Sequence, residues 1–249
     1  MFLLPIPIER IGFMRIYSQM ESRDVYSILM PTNEKYRSKY PHIHPVGAMF
    51  FVTFRLADSL PQNIINQLKA SINPNQINEY EHSLDPSQQI RYNRIQQYYF
   101  NRFDYQLDEK PYGDCYLKDP KIAQIVIDKL RQFDSQYYKL IAYCIMPNHV
   151  HLLIDLSVQM KGHDHIPENY KQLHQILKRI KGATAVYANR HLNREGTFWQ
   201  KDSYDRYMRN GHEISSVINY ILENPVKAGL VKHRSEWPYS FYFADKMNE

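Results

Sequence analysis

Cysteine is scarce in this chain: Cys115 and Cys144 are the only two in 249 residues, too few for a disulfide framework or a cysteine-based zinc site. No apolar run is long enough to span a bilayer. The apolar residues 1–10 are broken by Pro5 and Pro7, close on Glu9 and Arg10, and lack the basic leader of an export signal. The expected location is therefore the cytoplasm, with no membrane partner. Two catalytic patterns are also missing: a glycine-rich phosphate loop and a His-Glu-x-x-His helix. Internal repeats and low-complexity linkers are absent too. We expect one domain over residues 1–249, its core interrupted by an insertion.

Hydrophobic residues make up 43% of the chain, enough for a real core. The net charge of +5 and a pI of about 9.0 favour a polyanionic partner. There are 21 tyrosines. Interleaved with Lys and Arg, such rings suit the unstacked bases of a single strand; tyrosine is equally an amphipathic filler of cores and surfaces.

Residues 49–56, Met-Phe-Phe-Val-Thr-Phe-Arg-Leu, read as a strand covered on both faces. From 59 to 113 the chain turns polar and reads as a mostly helical insertion, with Asp85-Pro86 opening a helix that runs to about Phe103. Residues 1–43 form an N-terminal extension. Asp119-Pro120 opens a second helix, carrying Ile122, Ile125, Val126, Leu130 and Phe133 at helical spacing. Strands at 138–145 and 149–155 flank a Met146-Pro147-Asn148 turn. A long helix is expected at 168–190, a short strand at 197–200, and a helix at 212–223 with an Ile214, Val217, Ile218, Ile221 and Leu222 stripe. This order predicts an α+β sandwich with a mostly antiparallel sheet.

On a strand, His149 and His151 project from one face, where two imidazoles can grip one divalent cation. With 11 histidines in the chain, a His-x-His also arises by chance. His42 and His44 form such a pair just before Pro45, and read as a structural or surface pair. Tyr220 and Asn224 lie four apart, so they share a helix face. Tyr220 falls roughly 130° from the centre of the apolar stripe at ~100° per residue. Pro225 biases Asn224 toward the helix end. Alone, Tyr220 reads as a boundary tyrosine; beside the histidines it becomes a candidate nucleophile.

Tyr143-Cys-Ile-Met-Pro-Asn-His-Val-His-Leu-Leu-Ile154 resembles the HUH motif of the single-tyrosine transposases, the insertion-sequence-200-like superfamily. Asn219-Tyr-Ile-Leu-Glu-Asn-Pro-Val-Lys-Ala-Gly-Leu-Val231 and Glu236-Trp-Pro-Tyr-Ser240 resemble the C-terminal signature of its REP-associated tyrosine transposase branch. Phe51–Pro61, Gly196–Gln200 and Tyr204–Arg206 agree, in the family's order. The resemblance implies a ferredoxin/RRM-like sandwich whose central antiparallel sheet carries the HUH motif, with a C-terminal tyrosine-bearing helix. It implies Tyr220 as nucleophile, His149, His151 and Asn224 as ligands of Mg²⁺ or Mn²⁺, and cleavage and rejoining of single-stranded, hairpin-containing DNA through a 5′-phosphotyrosine. Such an enzyme is a transposase, a single-strand endonuclease and strand transferase, acting as monomer or homodimer.

Between Lys171 and Arg194 the chain carries six Lys or Arg and no Asp or Glu. We expect Lys178, Arg179, Lys181 and Arg190, next to the site, to track a phosphate backbone. Arg55, Arg206 and Arg209 are further DNA-binding candidates. A domesticated relative that binds nucleic acid without cutting it is the alternative; a hydrolase using water is a third reading.

Overall fold

The computed structural model describes residues 36–37, 41–42, 44–70, 97–98, 100–108 and 112–243. Strand β1 (Met49–Arg55) is buried along its whole length, as its unbroken apolar run requires. Helix α1 (Gln62–Ala70) and helix α2 (residues 97–98 and 100–108) come from the insertion. Then follow α3 (Pro120–Phe133), β2 (Lys139–Ile145), β3 (His149–Asp155), α4 (Leu173–His191), β4 (Tyr204–Tyr207), α5 (Gly211–Lys227) and β5 (Ser240–Tyr242).

The strands form one antiparallel sheet in the order β4-β1-β3-β2-β5. Setting aside the insertion, β1-α3-β2-β3-α4-β4 is a split β-α-β unit of ferredoxin-like topology, to which β5 adds an edge. Phe50, Val52 and Phe54 point to the face covered by α3 and α4, together with Val150, Leu152 and Ile154. Met49, Phe51 and Leu153 point to the opposite face, against α5 and Phe100 of α2. A bulge between Leu140 and Ala142 turns both Ile141 and Ala142 toward the α5 side.

Local chemistry fixes the elements that frame the site. Asp119 caps α3 by accepting from the Lys121 amide, with Pro120 in the first turn. The β2–β3 turn is tied down by Met146 N–H to His149 O and Leu56 N–H to Asn148 O. Trp237 Nε1 donates to the Ile145 carbonyl at 3.1 Å, and the Ile145 amide donates to Tyr239 O, so the C-terminal block seals the end of β2.

The sequence expectations differ from the structure in four places. Helix α4 starts at Leu173 rather than 168, because the Gln159 amide takes both backbone groups of Lys171 and holds that stretch outside the helix. Residues 197–200 make only an isolated bridge, Leu56 to Trp199, and the strand lies at Tyr204–Tyr207. Helix α5 continues through Pro225 to Lys227: Pro225 has no N–H to give the Ile221 carbonyl, and the ladder resumes beyond it with Ala228 N–H donating to Asn224 O. Helix α2 runs to residue 108, beyond the expected end near Phe103, because Leu107 packs with Leu60 and Leu68. Its expected start at Asp85 lies outside the described residues.

Candidate active site

Helix α5 and strand β3 converge on the sheet face opposite α3 and α4. Strand alternation places His149 and His151 on that face, with Val150 and Leu152 in the larger core. Their Nε2 atoms lie 2.9 Å apart and both side chains are 0% exposed.

Each imidazole is held from behind. His149 Nδ1 lies 2.7 Å from Asn148 Oδ1, and the Asn148 nitrogen donates to the Leu107 carbonyl at 3.3 Å. That orientation leaves Asn148 an acceptor, so His149 Nδ1 carries the proton and Nε2 presents its lone pair to the site. His151 Nδ1 lies 2.8 Å from Thr53 Oγ1, its direct cross-strand neighbour on β1. A hydroxyl donates or accepts, so Thr53 serves His151 in either tautomer.

Helix α5 adds Asn224 and Tyr220. The Asn224 carboxamide oxygen faces His151 Nε2 at 3.0 Å, while its nitrogen donates to the Asp108 carboxylate oxygens at 3.1 and 3.2 Å. The Tyr220 ring stands 5.4 Å from the His151 ring, and its hydroxyl is buried without a hydrogen-bond partner. Lys227 Nζ lies 4.9 Å from the Tyr220 ring centre. Tyr220 is half-buried at the edge of the smaller core, against Phe51 and Phe100, the boundary position expected from sequence. Its second wall comes from α2, which the periodicity of α5 alone does not contain.

Two acidic residues from α2 complete the cluster. Asp104 Oδ1 lies 3.5 Å from His151 Nε2, and Asp108 Oδ1 lies 3.7 Å from His149 Nε2. Asp104 is 3% exposed, and its Oδ1 has no hydrogen-bond partner. Burial, and then the neighbouring Asp108, push the Asp104 carboxyl well above the usual range; burial pushes Asp108 up to about 7, against the pull of Lys227. Burial, with help from Arg55, drives His149 down to about 3, and burial with His149 and Lys227 drives His151 down too. The histidines are therefore neutral, the form in which an imidazole can ligate a metal. Asp104, Asp108, Thr53, Asn148 and Lys227 did not emerge as site residues from sequence. A lone Asp in a polar helix carries no signal until the helix is placed over the sheet.

The donor set fits a divalent cation. Asp104, His149 and His151 offer ligand atoms all within 4.8 Å of one another. Octahedral coordination with bonds of about 2.1 Å spaces adjacent ligand atoms about 3.0 Å apart. The observed 2.9, 3.0 and 3.5 Å separations have that scale. Carboxylate, amide and imidazole donors suit a divalent cation, and a dication removes the penalty on the buried Asp104 oxygen.

The basic run of α4 lies elsewhere. Lys178, Arg179 and Arg190 are exposed on α4, which packs on the sheet face away from Tyr220, so this charge run does not border the site as the sequence reading expected. Lys178 and Lys181 line a cleft of about 510 Å³ with His44, His174 and Lys201. Lys181 donates to the Lys201 carbonyl and the Ser203 hydroxyl, and burial lowers its ammonium to about 8. Arg55 is buried: it donates to Ser59 Oγ at 2.9 Å and covers the Phe103 ring. Arg206 is half-buried on the site face opposite Phe51, while Arg209 is exposed over Tyr207. His44 bonds Asp205 at 2.7 Å, the structural role expected of it.

Residues 117–224 match the family described as "Transposase IS200 like". A Haemophilus influenzae protein provisionally named a REP-associated tyrosine transposase is 29% identical over 126 residues, covering 47% of this chain and 71% of that protein. The REP-associated tyrosine transposase of Escherichia coli is 24% identical over 108 residues, 43% of this chain and 56% of its own length. A solved structure of such a transposase bound to a REP hairpin overlaps 85% of this chain and 86% of its own at 16% identity, with a TM-score of 0.45.

Proposed function

We propose that this chain, which carries an IS200-like transposase domain over residues 117–224, cuts and rejoins single-stranded DNA through Tyr220. The observation that carries the reading is the convergence of β3 and α5. It puts the Tyr220 ring 5.4 Å from His151, and Asn224 3.0 Å from the same imidazole. His149, His151 and Asn224 would hold Mg²⁺ or Mn²⁺ with the strand bound, Asp104 adding its carboxylate only in the strand-free state. When bound, such an ion polarises the scissile phosphate and stabilises the charge that develops on it.

The chain's own residues supply the rest. Thr53 and Asn148 fix the imidazoles: with the His151 Nε2 lone pair free for a cation, His151 carries its proton on Nδ1 and Nδ1–H donates to Thr53 Oγ1. Tyr220 has no hydrogen bond to break before it attacks, and Lys227 supplies positive charge beside its ring. The phenolic oxygen forms a bond to phosphorus as the P–O3′ bond breaks. The phenol loses its proton, and the departing 3′ oxygen gains one. A 5′-phosphotyrosine results. In the reverse step a 3′-hydroxyl attacks that ester and Tyr220 recovers its proton, so the strand is resealed without nucleotide hydrolysis. The substrate class is hairpin-containing single-stranded DNA, with Lys178, Arg179 and Arg190 engaging phosphates on the α4 face.

The test is incubation with labelled hairpin DNA and Mn²⁺, followed by denaturing electrophoresis beside Tyr220→Phe and His149→Ala. A metal-dependent adduct lost in both variants is expected. Cleavage that survives in Tyr220→Phe overturns the assignment, and binding with no adduct over a broad hairpin panel favours a binding protein instead.

A further inference from the structure

A site that processes DNA must admit a phosphodiester, yet His149, His151 and Asn224 are 0% exposed and the Tyr220 hydroxyl is buried. The cover is α2. Phe100 stacks on Tyr204 at 4.1 Å and meets Phe51 and Tyr220 edge-on at 5.4 and 6.1 Å. One turn further along the same face, Asp104 reaches His151; one turn beyond that, Asp108 reaches His149 and the Asn224 amide. The outer face of the helix carries Tyr98 and Tyr105, both more than half exposed.

We infer that α2 is an autoinhibitory lid, whose Asp104 and Asp108 carboxylates stand where the oxygens of a DNA phosphate go, so that the closed helix and a bound strand exclude one another. The inference rests on the proposed strand-cutting reading of this site. Two observations support it. A carboxylate and a phosphate offer the same anionic oxygens to the same ligand side chains, and both cannot lie against His149, His151 and Asn224 together. In the metal-free protein the closed state is also weak: two acidic side chains are buried side by side, which costs the helix docking energy that an apolar residue at either place would supply. Phe100 and Leu107 supply the apolar hold that offsets it.

The test is carbethoxylation of the full chain by diethyl pyrocarbonate, with His149 and His151 read by mass spectrometry against the exposed His163 and His165. Phe100→Ala removes the aromatic hold, and labelling of the pair should rise about tenfold. Asp108→Asn takes a buried carboxyl off the docked face of α2 while keeping an acceptor for the Asn224 amide, and labelling should slow. Adduct formation on hairpin DNA should rise with Phe100→Ala in parallel. Wild-type labelling as fast as at His163, or labelling unchanged in both variants, overturns the lid. Labelling that moves as expected while no protein forms an adduct keeps the lid and rejects the strand-cutting chemistry. An adduct formed at equal rates in wild type and Phe100→Ala keeps the chemistry and rejects the lid. Thermal melts of both variants establish that each is folded.

Discussion

Replacing Asp108 with Asn should stabilise the metal-free protein, and do so more at high pH than at low. Asp108 ionises at about 7 in the folded chain, against about 3.9 for a free carboxyl. A folded state that holds its proton more tightly than the unfolded state is favoured at low pH. The stability associated with Asp108 is therefore full below about pH 4 and is lost as pH rises through about 7. About three pH units at about 1.4 kcal/mol each make the penalty about 4 kcal/mol above pH 7, a ceiling that local opening of α2 lowers. At pH 5 only about one unit has been crossed, and the penalty is about 1.5 kcal/mol. Asparagine keeps an oxygen for the Asn224 amide and carries no charge. At about 2–4 °C per kcal/mol for a chain of this size, the variant should melt roughly 4–10 °C above wild type at pH 8 in EDTA, and only a few degrees above it at pH 5. The assay is paired thermal unfolding across pH. A variant less stable than wild type at pH 8, or a difference that does not change with pH, refutes the electrostatic account of this carboxylate.

Thr53→Val keeps the shape of a buried side chain and removes the hydroxyl behind His151; Mn²⁺ affinity, measured by titration calorimetry, should fall about 10–100-fold while the fold persists. Double replacement of Lys178 and Arg179 by Ala should weaken binding of every single strand alike and reduce the slope of log affinity against log salt by about 0.7 per lost phosphate contact. Tyr138→Phe removes a buried hydroxyl that donates to the Leu130 carbonyl at 2.7 Å, and denaturant unfolding should show a loss of about 1 kcal/mol with no change in metal affinity.

The parts of the fold legible in sequence are those whose signal is local. Asp119-Pro120 announces α3 because a cap and a first-turn proline act within four residues. The His149 and His151 face is legible because strand alternation is a property of the strand itself. What stayed hidden depends on packing between distant segments. Asp104 and Asp108 carry no signal until α2 is laid across the sheet, and Lys178 reads as close to the site until the sheet separates α4 from α5. The start of α4 shifts because a glutamine thirteen positions upstream of Gln172 captures the Lys171 backbone, which no window along the helix reveals. Strand β4 is only four residues long and mixes charge with tyrosine; its existence is decided by pairing with β1.

Asn148 has a consequence for anyone who re-engineers this chain. Its amide is a hinge pin between two segments: the nitrogen is anchored on the Leu107 carbonyl, and the oxygen therefore faces His149. Excise residues 59–113 in favour of a short turn, and the anchor goes with them. A free amide can rotate by half a turn and offer its NH₂ to the imidazole, which then keeps its hydrogen on Nε2 and points it at the space meant for a cation. A miniaturised version would lose a ligand it had never been edited at. The remedy lies in the turn itself: Asn148→Asp accepts with either oxygen, so it needs no anchor to keep His149 in the ligating tautomer.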